Sequence, residues 1–194
     1  ESYNCGVISQ HCDSAQPQIA AQDAGVFGCG YNSDMTEQAP NAHLTAAIWH
    51  WDVYYQAAIE TAMTCGGAEN FVTEMGGNAY YAGLSEGFVD ASTLNELVAA
   101  PGTAAAMEAV RELIDSGEWD VFSGVKLNIT VDAEAGTAAV EQVDAPLMSD
   151  GYELKDGEVV EMANPEIVPA GGASVTDDVI KSGMNYNVAG VVEG

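Results

Sequence analysis

Basic side chains are almost missing from this chain: 4 Lys+Arg stand against 30 Asp+Glu, a formal net charge of −26. Such a surface has nothing to neutralise a phosphate backbone, which disfavours nucleic acid as a partner. Adsorption to an anionic membrane through a basic patch is disfavoured for the same reason. Histidine is scarce too: His11, His43 and His50 are all there are, and their spacing is not that of a metal-ligand set. The 4 cysteines, Cys5, Cys12, Cys29 and Cys65, include no CxxC pair, so neither a zinc ribbon nor a thioredoxin-type site is indicated. They read as small buried hydrophobes; Cys5 and Cys29 fall on neighbouring predicted strands, where closeness is the alternative expectation. No apolar run is long enough to span a bilayer as a helix. GxSxG, a P-loop and a complete GxGxxG are all absent, and Gly28-Cys29-Gly30 is too short to count. Cys12 beside His11 makes a poor thiol–imidazole pair, because adjacent residues of an extended chain point to opposite faces. An enzyme is therefore disfavoured, and no cofactor or metal is implied.

What is present points to a folded α/β chain. A hydrophobic fraction of 47% argues against disorder, and 194 residues suffice for one core or one large lobe. The acidity favours solubility, and the shortage of lysine suits a salt-rich habitat or an acidic secreted proteome.

Cys5 to Ser9 reads as a buried parallel strand. Ser14 to Ala24 follows as a helix with Pro17 in its first turn and Gly25 as its stop. Val26 to Gly30 is a second strand, and the strand–helix–strand order implies parallel pairing. After the polar loop Tyr31 to Asn41, a third strand runs from His43 to Ile48 and delivers Trp49. Asp52 is placed to cap a helix through about Met63, with Tyr55, Ala58, Ile59 and Ala62 on its apolar face. Gly87-Phe88-Val89-Asp90 suggests a strand near a pocket mouth. Thr103 to about Ser116 reads as a helix striped by Met107, Val110, Leu113 and Ile114, and stopped by Gly117. Trp119 to Gly124 reads as extended.

From Val125 the pattern changes. Leu127, Ile129 and Val131 alternate with polar residues, as in a half-buried strand. Asp150-Gly151 and Asp156-Gly157 are turn signals, the second placed to close a hairpin. A short helix over Thr176 to Gly183 and a strand over Tyr186 to Val192 end the chain. The expected organisation is 1–124 as a partial α/β ligand-binding lobe, 125–175 as a β-rich extension and 176–194 as a closing helix and strand.

Two strands whose ends carry groups able to stack or hydrogen-bond have the layout of a small-molecule pocket at the carboxyl edge of a sheet. Asn32 and Asp34 occupy the loop after the second strand, where an Asx-type turn is the plain alternative to ligand contact. His11 and Asp13 follow the first strand, where Asp13-Ser14 is also placed to cap the next helix. Gly87, which permits close backbone approach, and Asp90 are candidates for the opposite wall. Trp51 reads as helix packing.

Gln10-His11-Cys12-Asp13-Ser14, Gly30-Tyr31-Asn32-Ser33-Asp34-Met35, Ala42-His43-Leu44-Thr45 and Ile48-Trp49-His50-Trp51 together resemble the second lobe of the basic membrane protein family, as does the ending Met184 to Val192. These are substrate-binding proteins of ABC importers and include the purine nucleoside receptors. The resemblance is dense from about Cys5 to Gly124, thin from Val125 to Val179, and returns at the end.

It implies a parallel-sheet lobe of a type I periplasmic-binding-protein-like fold, closing by a hinge over a purine base or nucleoside-like ligand and delivering it to an ABC permease. The final strand is expected to return toward the hinge and first lobe. The chain opens at Glu1, just before a predicted strand, and is read as a fragment. A lipid anchor is expected upstream, with an extracytoplasmic location at the cell surface or in the periplasm. In the nucleoside-receptor branch a lysine stands near position 49. Trp49 removes that donor and adds a stacking face, which favours a free base over a nucleoside. The family carries acidic residues in the loop of Asn32 and Asp34 at ligand contacts, and Asn32 stands where many relatives have aspartate. The alternatives are a ligand-sensing domain tied to a signalling or regulatory module, and a flavodoxin-like enzyme suggested only by the generic α/β pattern.

Overall fold

The computed structural model describes residues 4–191. The chain forms two compact units, divided between Pro101 and Gly102.

The first unit is an α/β layer. Strands β1 (Val7–Ser9), β2 (Phe27–Asn32) and β3 (His43–Trp49) pair in parallel, and β4 (Val89–Ala91) adds to β3 antiparallel, giving the order β1-β2-β3-β4. The parallel pairing of β1 with β2 follows from the intervening helix α1 (Gln16–Asp23), with Pro17 in its first turn. A mixed α/β unit built on parallel strands is consistent with a periplasmic-binding-protein-like lobe.

Helix α1 covers one sheet face, and Ala21, Ala39 and Ala42 form the core there, with Ile8 and Val26 packed against it. Gly28 and Gly30 lie on this face; a side chain at either would strike Gln18 or His43. The alternate residues Phe27, Cys29 and Tyr31 therefore lie on the other face, which is more open: Phe27 and Val7 are 38% and 50% exposed.

Two helices follow β3, α2 (Trp51–Thr64) and α3 (Ala68–Glu74). Asp52 does not cap α2. His50 holds the cap position without a side-chain bond, and Asp52 lies inside the first turn, where a carboxylate favours the helix dipole instead. The predicted apolar face of α2 is solvent-facing, with Tyr55 58% and Ile59 60% exposed. Asp13 does not cap α1 either: Ser14 Oγ accepts the Gln16 N–H at 3.2 Å, while Asp13 bonds elsewhere.

The cysteines depart from the buried reading. Cys5 and Cys12 are exposed, Cys29 and Cys65 half-buried, and all four are free thiols. Burial pushes the Cys29 thiol up from its ordinary value.

The second unit begins with α4 (Thr103–Asp115), which packs on the hairpin of β5 (Val125–Asp132) and β6 (Thr137–Asp144). The compact unit thus starts ahead of the change in sequence pattern at Val125. Residues Trp119 to Gly124 are turns rather than extended chain, because Asp120 Oδ1 accepts the Phe122 N–H and Trp119 Nε1–H reaches the Val125 carbonyl. Strand β7 (Leu147–Lys155) is central to the remaining sheet. It pairs antiparallel with β8 (Glu158–Glu161), β9 (Glu166–Val168) and β10 (Tyr186–Val188), the last after helix α5 (Asp177–Ser182).

Asp156-Gly157 closes the β7–β8 hairpin with φ of 53° and 84°, the left-handed pair that a two-residue primed turn needs. Asp150-Gly151 is not a turn between strands. It is an irregularity inside β7, with Gly151 at φ 94°, where pairing changes from β9 to β8. Strand β10 uses β7 as its partner, within this unit; Val192, expected in that strand, lies outside the described residues. No helix among the described residues is long and apolar enough to cross a membrane.

Candidate functional site

The carboxyl ends of β1, β2 and β3 open on one edge of the first unit, and the predicted site residues gather there in separate groups. The first is a row of rings. His11 meets Tyr31 edge-on at 4.4 Å between ring centroids, and Tyr31 meets Trp49 at 5.0 Å. Tyr31 opposes Ala47, two residues before Trp49, so the pleat places Tyr31 and Trp49 on the same face, away from α1.

Trp49 also forms part of the wall of a cavity of about 460 Å³, with Trp51, Tyr54, Tyr80, Tyr81, Ala82 and Phe88. That volume lies within the range of small-molecule sites. Trp51 packs against Phe88 and Tyr54 and also lines this cavity. Because α2 starts directly after β3, Trp51 and Tyr54, three residues apart, share a helix face turned to the cavity. The His50 N–H bonds the Phe88 carbonyl at 2.8 Å, tying the start of α2 to the segment leading into β4. The rings meet edge to face around Phe88: Trp51 at 5.6 Å, Tyr80 at 5.4 Å, with Tyr54 to Tyr80 at 5.3 Å. Each such contact contributes about 0.5–1.5 kcal/mol beyond area burial and fixes ring orientation. No carboxylate lines this cavity. It can take a flat or apolar uncharged group by stacking, with Tyr O–H and Trp N–H as its side-chain polar points.

The second group is polar. Asn32, at φ 68°, turns at the end of β2, and its Nδ2 donates to Asp13 Oδ1 at 3.1 Å, joining the loops after β1 and β2. Asp34 does otherwise. Its Oδ1 accepts the Thr36 N–H at 2.8 Å, an Asx turn, and lies 3.5 Å from His43 Nε2 on the α1 side of the sheet. Burial pulls its carboxyl up, but the Thr36 hydrogen bonds and the His43 charge outweigh that and hold it below its ordinary value. Asp90 sits on β4 opposite Ile48; its Oδ1 accepts the Ala91 N–H, and its Oδ2 is 3.9 Å from His50 Nε2. Gly87, at φ 70°, shapes the turn that delivers Phe88.

The structure thus brings His11 and Trp49 together through Tyr31, and Asn32 together with Asp13, while Asp34 and Asp90 bond within their own neighbourhoods. Sequence reasoning missed Tyr31, Tyr54, Tyr80, Tyr81 and Phe88. The signals were there: Tyr54 stands three residues after Trp51, and Tyr80-Tyr81 lies between Gly76-Gly77 and Gly83, a glycine-bounded aromatic pair. Among the described residues no group of three or more His, Cys, Asp or Glu side chains is placed to hold a metal ion.

No family model matches the chain. It is 39% identical over 57 residues to a protein of Haloferax volcanii named as an ABC transporter glucose-binding protein, a stretch that covers 29% of this chain and 15% of that one. It is 41% identical over 49 residues to a purine-binding protein of Brucella abortus, covering 25% of this chain and 14% of the relative. The chain thus matches only about a seventh of the length of these curated relatives. Over those stretches it is related to proteins named for binding a substrate, and neither is named as an enzyme.

Proposed function

We propose that this chain is a solute-binding lobe of an ABC importer, of the basic membrane protein type, and that it holds a purine base or similar flat heterocycle. The observation that carries the reading is the aromatic cavity at the carboxyl end of β3, with Trp49 in its wall. A purine needs a flat partner, and indole and phenol rings supply one at little entropic cost. Ring nitrogens and amino groups find complementary donors and acceptors at the Asn32–Asp13 pair on the same edge. The two matched relatives, named for glucose and for purine, support solute binding as the shared activity. The ligand is carried unchanged, a permease is the partner, and the location is extracytoplasmic.

A sugar is the second reading, because aromatic faces also pack on the C–H face of a pyranose and one relative is named for glucose. Isothermal titration of the full-length protein with adenine, guanine, hypoxanthine, their nucleosides and glucose decides between them. Heat on adding a base, and none with glucose, is the expected result. Binding of glucose alone discards the purine assignment, and heat with none of them discards both ligands.

A further inference from the structure

The two largest fully buried side chains among the described residues are polar, Gln18 and His43, beside a core of Ala21, Ala39 and Ala42 with buried Met35 next to His43. Burying such groups costs stability unless every one of their hydrogen bonds is made. Here they are made, in one direction. The Met35 N–H donates to His43 Nε2 at 3.3 Å, and His43 Nδ1–H donates to Gln18 Oε1 at 3.1 Å. Gln18 Nε2 donates to Gln10 Oε1 at 2.8 Å and to the Cys29 carbonyl at 3.1 Å. Gln10 Nε2 donates to the carbonyls of Cys12 at 2.9 Å and Ser14 at 2.7 Å. The chain of donors begins in the loop after β2 and ends in the loop after β1. These two loops are also joined where β2 ends, by the bond from Asn32 to Asp13. One tautomer alone satisfies it, the neutral imidazole with its proton on Nδ1, because a carbonyl-type oxygen faces Nδ1 and an N–H faces Nε2.

We propose that Gln18 and His43 are positioning residues. They form a buried relay that fixes the two ligand-edge loops relative to each other, and a proton added at His43 Nε2 uncouples the loop after β2 from it. The inference rests on reading this edge as the ligand site. A protonated Nε2 points a hydrogen at the Met35 N–H, so that bond is lost. The remaining acceptor within reach is Asp34 Oδ1, 3.5 Å away in the same loop. The imidazole therefore changes partner from backbone to carboxylate, and the 34–36 turn must move to follow. The other elements around His43 bring no charge to it: α1 presents Gln18, β2 presents Gly30, and the segment after β4 presents Asn95, which bonds the His43 carbonyl. Asp34 is thus the titratable group that faces it. Burial holds the imidazole below the ordinary histidine value, with the Asp34 charge pulling part of the way back, so the release falls at a pH below that value.

The test uses the full-length protein without ligand. 15N-histidine labelling follows His43 through a pH titration, and hydrogen exchange by mass spectrometry follows peptides spanning 10–15 and 31–37. Exchange in the 31–37 peptide is expected to rise about fivefold or more, the equivalent of one lost buried hydrogen bond, while 10–15, still held through Gln18 and Gln10, changes less. The rise should coincide with the His43 titration while the β5–β6 hairpin stays unchanged. His43→Gln should abolish the step. If that variant does not fold, the coincidence in the wild type decides. Exchange in 31–37 that ignores the His43 titration, or an equal rise in 10–15, overturns the relay. Adenine affinity measured across the same pH range is expected to fall with the step. Absence of adenine binding at every pH refutes the ligand reading and leaves the exchange result to judge the relay.

Discussion

Gly28→Ala is the substitution whose cost the structure sets most directly. Gly28 is not in the left-handed region, so alanine is not excluded by its backbone. The obstacle is the neighbour. An added Cβ would lie 2.8 Å from Gln18 Cδ and 2.9 Å from its Nε2, and closer still to Oε1. The tip of a glutamine normally swings aside at little cost. This one is fully buried and makes three hydrogen bonds, to His43, Gln10 and the Cys29 carbonyl. Each is worth about 0.5–1.5 kcal/mol net, and a buried group left dry costs about 1–3 kcal/mol. Against this, alanine restricts the unfolded chain and returns about 0.4–1 kcal/mol. The expected net loss is about 2–4 kcal/mol, a large part of a typical stability of about 5–15 kcal/mol. Urea denaturation followed by indole emission and far-UV circular dichroism measures it, with an unchanged slope as the condition for comparison. Gly6→Ala is the control, since its Cβ meets nothing within 4 Å; it should cause no loss and at most a gain of about 0.4–1 kcal/mol. In a Gln18→Ala background the clash partner is gone and the Gly28→Ala cost should largely vanish. A cost below about 1 kcal/mol, or one that is the same in both backgrounds, refutes the reasoning.

Trp49→Ala should weaken adenine binding by about 1–3 kcal/mol, the worth of one base–aromatic stack, while Trp49→Phe keeps most of the affinity; isothermal titration of both variants checks it. Stability should fall on acidification in a defined order. The folded His43 titrates below its ordinary value of 6.5, so the unfolded chain takes up that proton first. Its contribution is complete above that value and is lost as pH falls through the lowered folded one. Asp34, held below 3.8, adds a second loss at lower pH. Melting temperature against pH for wild type and His43→Gln separates the two, and the variant should lack the earlier slope. Salt should stabilise the protein, because −26 charges repel one another; the melting temperature is expected to rise from about 0.1 M to about 1 M NaCl, as screening length shrinks from about 10 Å to about 3 Å.

The parallel strands and α1 were legible because apolar runs, Pro17 and Gly25 mark them, and local signals decide local structure. Asp156-Gly157 was legible because φ > 0 at two successive positions needs such residues. Asp150-Gly151 carries the same letters but serves a change of strand partner, which depends on how β8 and β9 pair with β7 rather than on the dipeptide itself. Trp49 was recognisable as a strand end. The rest of the cavity was marked only by the spacing of Tyr54 from Trp51 and by the glycine-bounded Tyr80-Tyr81; that Tyr54, Tyr80 and Phe88 meet depends on α2 and the approach to β4 folding against each other. The polar relay was hidden for a related reason: His43 and Gln18 are separated by 25 positions, and nothing in either neighbourhood marks them as partners.

The distribution of hydrogen bonds at the edge says where binding energy and selectivity must come from. Asn32 is already bonded to Asp13, Asp34 to Thr36, and Gln10 to two loop carbonyls. A ligand that engages these groups exchanges one hydrogen bond for another and gains only the difference. The rings give up nothing but water when a flat group covers them. Affinity should then reside in the aromatic cavity and discrimination among purines in the Asn32–Asp13 pair. Asn32→Ala is the case that separates the two. It removes the exchangeable donor and acceptor but leaves the rings in place. Across adenine, guanine and hypoxanthine it should reorder the affinities by about tenfold, the scale of one hydrogen bond to a buried edge, while changing their average much less than Trp49→Ala does. Equal weakening of all three bases by Asn32→Ala would show that this pair supplies binding energy rather than choice.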